Sequence, residues 1–165
     1  MSDSSEQNKI DVGRKIMQWL EEESAIFQEE KDPYRMFKVV VFPANDMPIY
    51  ITIDKQKIDS LTLVARSGFS EQDKKALSHS NDKRVDFVRR LRSALLQSRV
   101  TYNFYPDFNN IEYIEIYKTL YFDGLSKHRF FQYIEDIVRA LSWLSLEYEK
   151  LNGSRKTNFL TGFIL

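Results

Sequence analysis

The chain has no cysteine, two histidines, five glycines, four prolines and no net charge, and each shortage removes a class of function. Without cysteine there is no disulfide, no thiolate nucleophile and no cysteine-ligated zinc. Five scattered glycines do not make a phosphate-cradling loop, and GxxxxGK[ST], GxSxG and HExxH are all missing. Because 24 basic residues face 24 acidic ones, no global field draws the protein to nucleic acid or to an anionic membrane. No window approaches about 18 consecutive apolar residues, so no helix is expected to span a bilayer. With no secretory signal visible, the expected compartment is the cytoplasm.

What remains suits a folded domain. The chain has 165 residues, 42% hydrophobic and 29% charged, enough for one core. High charge content without cysteine also suits heat tolerance. Residues 1–8 are polar and read as a mobile tail, 9–152 as a single α+β domain, and 153–165 as a C-terminal tail that can dock.

The strongest pattern lies near the end. Phe130, Ile134, Ile137, Leu141, Leu144, Tyr148 and Leu151 recur at steps of four and three, predicting one long helix with an apolar stripe, capped by Ser126 and stopped at Asn152-Gly153. Phe131, Val138, Trp143 and Leu146 extend its apolar surface around the back, so it is expected to be covered on more than one side.

Earlier, Val12, Ile16, Trp19 and Leu20 mark a helix from Lys9 to about Glu23. Ala25-Ile26-Phe27 leads to a turn at Asp32-Pro33. Three strands follow. Residues 35–42 are apolar on both alternating faces, whereas 49–54 and 61–66 alternate, which predicts an antiparallel meander. Ser70 and Asp73 form a capping-box variant. A two-piece helix then runs to Arg99, with Asn81 or Asp82 capping the second piece and Val85, Val88, Leu91, Leu95 and Leu96 facing the core. A hairpin turns at 106–110, and its second arm sets Ile114, Ile116 and Leu120 opposite Tyr113, Tyr117 and Tyr121. The order helix, strands, helix, hairpin, helix favours an antiparallel sheet with helices packed on it.

The blocks FVRRLRSALLQSRVTYNFYPD and YIEIYKTLYFDGLSKHRFFQYIEDIVRALSWL resemble the signature half of an uncharacterised archaeal family, a domain of unknown function. The element order over residues 9–152 is similar to the type III secretion chaperone-like superfamily. That resemblance implies a sheet flanked by helices and a homodimer, without implying secretion.

Three readings of function stand side by side. The first is a non-enzymatic, chaperone-like interaction module that dimerises and binds a polypeptide, with Tyr113, Tyr117, Tyr121, Trp143 and Leu146 as interface candidates. The second is a nucleic-acid-associated protein using Lys83, Arg84, Arg89, Arg90 and Arg92, with Tyr102, Phe104 and Tyr105 as stacking platforms. The third is an enzyme of unknown reaction. No catalytic constellation, metal cluster or cofactor motif is seen, and His79 and His128 read as solvated side chains.

Overall fold

The computed structural model describes residues 2–43, 47–56 and 59–152. Four α-helices and six strands follow the predicted order: α1 (Ser2–Glu22), β1 (Phe27–Glu29), β2 (Arg35–Val41), β3 (Ile49–Asp54), β4 (Ser60–Gly68), α2 (Glu71–Ser78), α3 (Asn81–Gln97), β5 (Thr101–Pro106), β6 (Ile111–Tyr121) and α4 (Lys127–Asn152). The strands form one antiparallel sheet in the order β1-β2-β3-β4-β6-β5. No helix among the described residues is long and apolar enough to cross a membrane. The tail 153–165, with the predicted Gly153 stop, lies outside the described residues. Two compact units divide the chain, Met1–Ala65 with Tyr117–Glu135 and Arg66–Ile116 with Asp136–Leu165.

In the first unit the meander registers Val39 with Ile51 and Ile51 with Leu63, so alternate residues of three strands share one face. That face is apolar and buried, with Ile49, Ile51, Ile53, Leu61 and Leu63 all fully inaccessible. Helix α1 presents Val12, Ile16, Trp19 and Leu20 as its buried stripe. Close approach of helix and strand is set by Gly13, where an added Cβ would come within 2.8 Å of the Phe37 ring. Trp19 meets Phe130 of α4 with ring centroids 6.0 Å apart.

Helix α1 starts earlier than its apolar pattern suggests. The segment 2–8, read from sequence as a tail, is helical, and tertiary contacts account for the extension: Ser5 Oγ donates to Asp59 Oδ1 at 3.0 Å and Lys9 Nζ to the Lys55 carbonyl at 3.1 Å. Strand β1 was not legible in the sequence. It has three residues, and pairing with β2 (Phe27 with Val41, Glu29 with Val39) is what makes it a strand. The turn at Asp32 is as expected, its carboxylate accepting from the Tyr34 N–H at 2.9 Å.

In the second unit Ser70 caps α2 in the predicted reciprocal box with Asp73. Helix α3 departs from expectation at both ends of its pattern. Its cap is Ser80, whose hydroxyl accepts from the Lys83 N–H, so neither Asn81 nor Asp82 caps it. Its buried stripe is Phe87, Val88, Leu91, Ala94 and Leu95, while Val85 and Leu96 are exposed at 47% and 68%. The buried arc is centred on Leu91, and at about 100° per residue Val85 and Leu96 fall about 120° and 140° round the helix from that centre, outside the arc.

Helix α4 follows the expected stripe as far as Tyr148, while Leu151 is half-buried. Ser126 Oγ accepts from the Arg129 N–H at 3.2 Å, and Phe130, Ile134, Ile137, Leu141, Leu144 and Tyr148 are all buried. Within the second unit Tyr148 packs against Phe69 and Phe87, centroids 5.0 and 6.1 Å away. Its hydroxyl lies 3.3 Å from Ser67 Oγ. Burial pushes the Tyr148 phenol well above its ordinary range, so it stays neutral in the core.

Beside it, Glu147 is 4% exposed and accepts from Lys150 Nζ at 2.6 Å and Arg90 Nε at 2.9 Å. Burial by itself would raise this carboxyl, but hydrogen bonds from Lys150 and then Arg90 outweigh it and hold Glu147 below the usual carboxylate range. A depressed folded value contributes stability that is present above the unfolded value of about 4.3 and is lost as pH falls through the folded one. Arg90 and Lys150 are 40% and 57% exposed, so solvent screening reduces the effect. Glu147→Gln is expected to cost about 1–2 kcal/mol at neutral pH and to flatten the loss of stability below about pH 4, as read by urea unfolding across a pH series.

Candidate interaction surface

In the second unit, strand alternation sets Ser67, Ile114 and Ile116 inward and turns Arg66, Tyr113 and Glu115 to the other face. There Arg66 Nε donates to Glu115 Oε2 at 2.8 Å, and its guanidinium lies 5.9 Å from the Tyr113 ring centre. Tyr105 of β5 stacks on Tyr113 at 4.8 Å with an interplanar angle of 11°. The result is a continuous plate of cation, two stacked phenols and a carboxylate.

Alternate residues of β5 build a second aromatic group. Tyr102 meets Phe104 edge to face at 5.6 Å, Phe104 meets Phe108 at 6.5 Å, and the Arg92 guanidinium of α3 lies 5.9 and 5.1 Å from Phe104 and Phe108. The hairpin turn beneath is held by Asp107, whose carboxylate accepts from the Asn109 and Asn110 N–H groups at 2.7 and 3.1 Å.

On α4 the stripe is inside, but Trp143 and Leu146 remain 38% and 45% exposed. They stand three residues apart and so lie side by side on one outward face. The tyrosine rank is graded: Tyr113 and Tyr117 are half-buried and Tyr121 is 55% exposed. In the first unit Tyr121 borders a cleft of about 610 Å³ with Val12, Lys15, Asp59 and Asp123.

The predicted basic surface is largely engaged within the molecule. Arg89 and Arg90 both pair with Asp86, and Arg90 also reaches Glu147. Arg84 donates to Asn81 Oδ1 and to the Asn109 carbonyl, and Arg92 lies over the two phenylalanines. Lys83, Arg89 and Arg92 are the exposed members.

His79 is exposed at the end of α2, its Nδ1 2.5 Å from the Lys75 carbonyl oxygen. His128 is exposed beside a shallow cleft of about 460 Å³ with Glu23, Lys127 and Phe131. Hydrogen bonds from Lys127, then Gln18, draw Glu22 below its usual range, and Glu23, then Glu22, raise Lys127. Among the described residues no three His, Asp or Glu side chains gather as metal ligands.

Arg66 and Glu115 were missed by sequence reasoning. They are 49 positions apart, and only the polar positions within their own strands hinted that both faced outward.

A family model described as "Uncharacterized conserved protein (DUF2299)" matches residues 12–146. A comparison with curated proteins finds no match. Among solved structures, an uncharacterized protein from Methanothermobacter thermautotrophicus is 26% identical, with a TM-score of 0.74 over 84% of this chain and 97% of its own. YbjN from E. coli is 13% identical, with a TM-score of 0.43 over 84% of this chain and 90% of its own.

The Arg66 side chain is 61% exposed, so its ion pair and ring contact are expected to add little to folding. Arg66→Ala should lower unfolding stability by no more than about 1 kcal/mol, measured by chemical denaturation.

Proposed function

The chain belongs to the DUF2299 family of uncharacterized conserved proteins, and from that premise we propose that it is a non-enzymatic, chaperone-like interaction module, a homodimer that holds an apolar segment of another polypeptide. The observation that carries this reading is the outward pair Trp143 and Leu146 on a helix whose other large apolar side chains are mostly inside. Exposing two large apolar groups side by side leaves unfavourable contact with water that an apolar partner removes. Trp143 also brings broad, stiff contact area of the sort enriched at interaction hot spots. The Arg66–Tyr113–Tyr105 plate adds half-buried aromatic area with polar edges, the composition of an interface rim. Both lie in the second unit.

The nucleic-acid alternative has less to draw on. Affinity for a duplex rests on cations free to replace counterions at phosphates, whereas Arg84, Arg89, Arg90 and Arg92 already meet internal partners. Tyr102 and Phe104, the proposed stacking platforms, are packed against each other.

A reduced, carboxymethylated lactalbumin, a chain held permanently unfolded, serves as the probe. Wild-type protein should bind it, and Trp143→Ser with Leu146→Ser should weaken that binding about tenfold or more, since two buried apolar contacts are lost. Failure of the wild type to bind at any soluble concentration would overturn the client reading, and sedimentation as a monomer at tens of micromolar would overturn the dimer. A random-sequence duplex should not be retained even at about 50 mM salt; steeply salt-dependent retention would favour the alternative.

A further inference from the structure

We propose that residues 159–165 of this same chain fold back over Trp143 and Leu146 and shield them until a client polypeptide displaces them. The inference rests on the client reading above and gives that site a tethered competitor. Between Arg139 and Glu147, helix α4 runs through seven uncharged residues, 140–146. Within that run the Ser142 and Ser145 hydroxyls donate to the Val138 and Leu141 carbonyls at 2.9 and 3.0 Å. Their protons are spent inside the helix, so Trp143 and Leu146 stand in a surface with neither charge nor a free hydroxyl donor. Such a surface takes an apolar occupant.

Residues 159–165 read Phe-Leu-Thr-Gly-Phe-Ile-Leu, five large apolar side chains and no charge. Tether length puts them within range. Leu146 and Trp143 lie six and nine residues before Asn152, about 9 and 13.5 Å back along a helix that rises about 1.5 Å per residue. Phe159 lies seven residues beyond Asn152, and seven residues span at most about 23–25 Å. About 10 Å of chain is left over for reversal, and glycine at position 153 is the residue type that turns most readily after a helix. The intervening cations, Arg155 and Lys156, pass exposed Glu149 on that route, whereas Lys150 is already tied to Glu147 at 2.6 Å.

A short tether holds its far end at an effective concentration on the order of millimolar, well above the micromolar range in which a second copy or a free client is supplied. That difference selects the chain's own segment as the resting occupant. A client has to displace it, so the affinity measured at this face is below the intrinsic one by the fraction of molecules left open.

The full chain carrying Phe159→Ser, Leu160→Ser, Phe163→Ser and Ile164→Ser tests the contact, read by acrylamide quenching of tryptophan fluorescence. Trp19 is buried in the first unit and gives a constant background, while Trp143→Phe in both proteins removes the signal of interest. The serine variant should quench about twofold more steeply than wild type and bind carboxymethylated lactalbumin several-fold more tightly. A synthetic peptide of residues 153–165, added at hundreds of micromolar, should restore the wild-type slope and weaken lactalbumin binding again. A slope unmoved by the four serines or not restored by the peptide, or a difference that survives Trp143→Phe, would overturn the folded-back contact. So would a wild-type slope that falls as protein concentration rises, which would give the face to a second copy. In each of these cases the client reading stands if wild type still binds lactalbumin. A steeper slope in the serine variant, with lactalbumin bound by neither protein, would overturn the client reading and leave the contact in place.

Discussion

The structure depends on burial of one helical stripe. Phe130, Ile134, Ile137, Leu141, Leu144 and Tyr148 span about five turns of α4 and are all buried, each side chain contributing roughly 1.5–3 kcal/mol. Phe130 and Ile134 belong to the first unit and the rest to the second, so one continuous helix supplies core to each. A polar substitution in that stripe would leave an unsatisfied group facing apolar sheet residues, which is why the polar members of α4 sit at its margins.

Asp73 and Glu147, two buried acids of the second unit, are tolerated for a shared reason. Asp73 closes the reciprocal cap with Ser70 at the start of α2, and Glu147 is clasped by Arg90 and Lys150. A buried carboxylate is costly unless its oxygens are hydrogen-bonded, and both meet that condition through local partners or an adjacent helix. On α3, Asp86 pairs with Arg89 and Arg90, Glu147 pairs with Arg90, and Arg92 lies over two phenylalanine rings.

The second unit also carries outward aromatic and apolar groups. The plate of Arg66, Tyr105, Tyr113 and Glu115, the Trp143–Leu146 pair and the β5 edge all lie in the second unit. They offer contact area, backbone hydrogen bonding and a few fixed charges.

Much of the fold was legible because amphipathic period is a local property. Steps of three and four marked α4 and most of α1, alternation marked β3 and β4, and Ser70 and Ser126 announced their caps. The errors fell where a local pattern was ambiguous or too short. Phe87 competes with Val85 for the inward side of α3, Ser80 competes with Asn81 and Asp82 for its cap, and β1 is too brief to show a period.

The sequence alone therefore determined most helices and strands, β1 and the start of α1 apart, together with their order and most of the apolar side chains that turn inward, since 3.6-residue and two-residue periods write the facing of each element into its own residues. Tertiary structure alone decided which elements are neighbours. It made β5 an edge, set Arg66 on Glu115, drew Ser5 to Asp59 to extend α1, and placed Arg90 against Glu147, because pairing between distant segments depends on the energy of the assembled core and leaves no mark on local spacing.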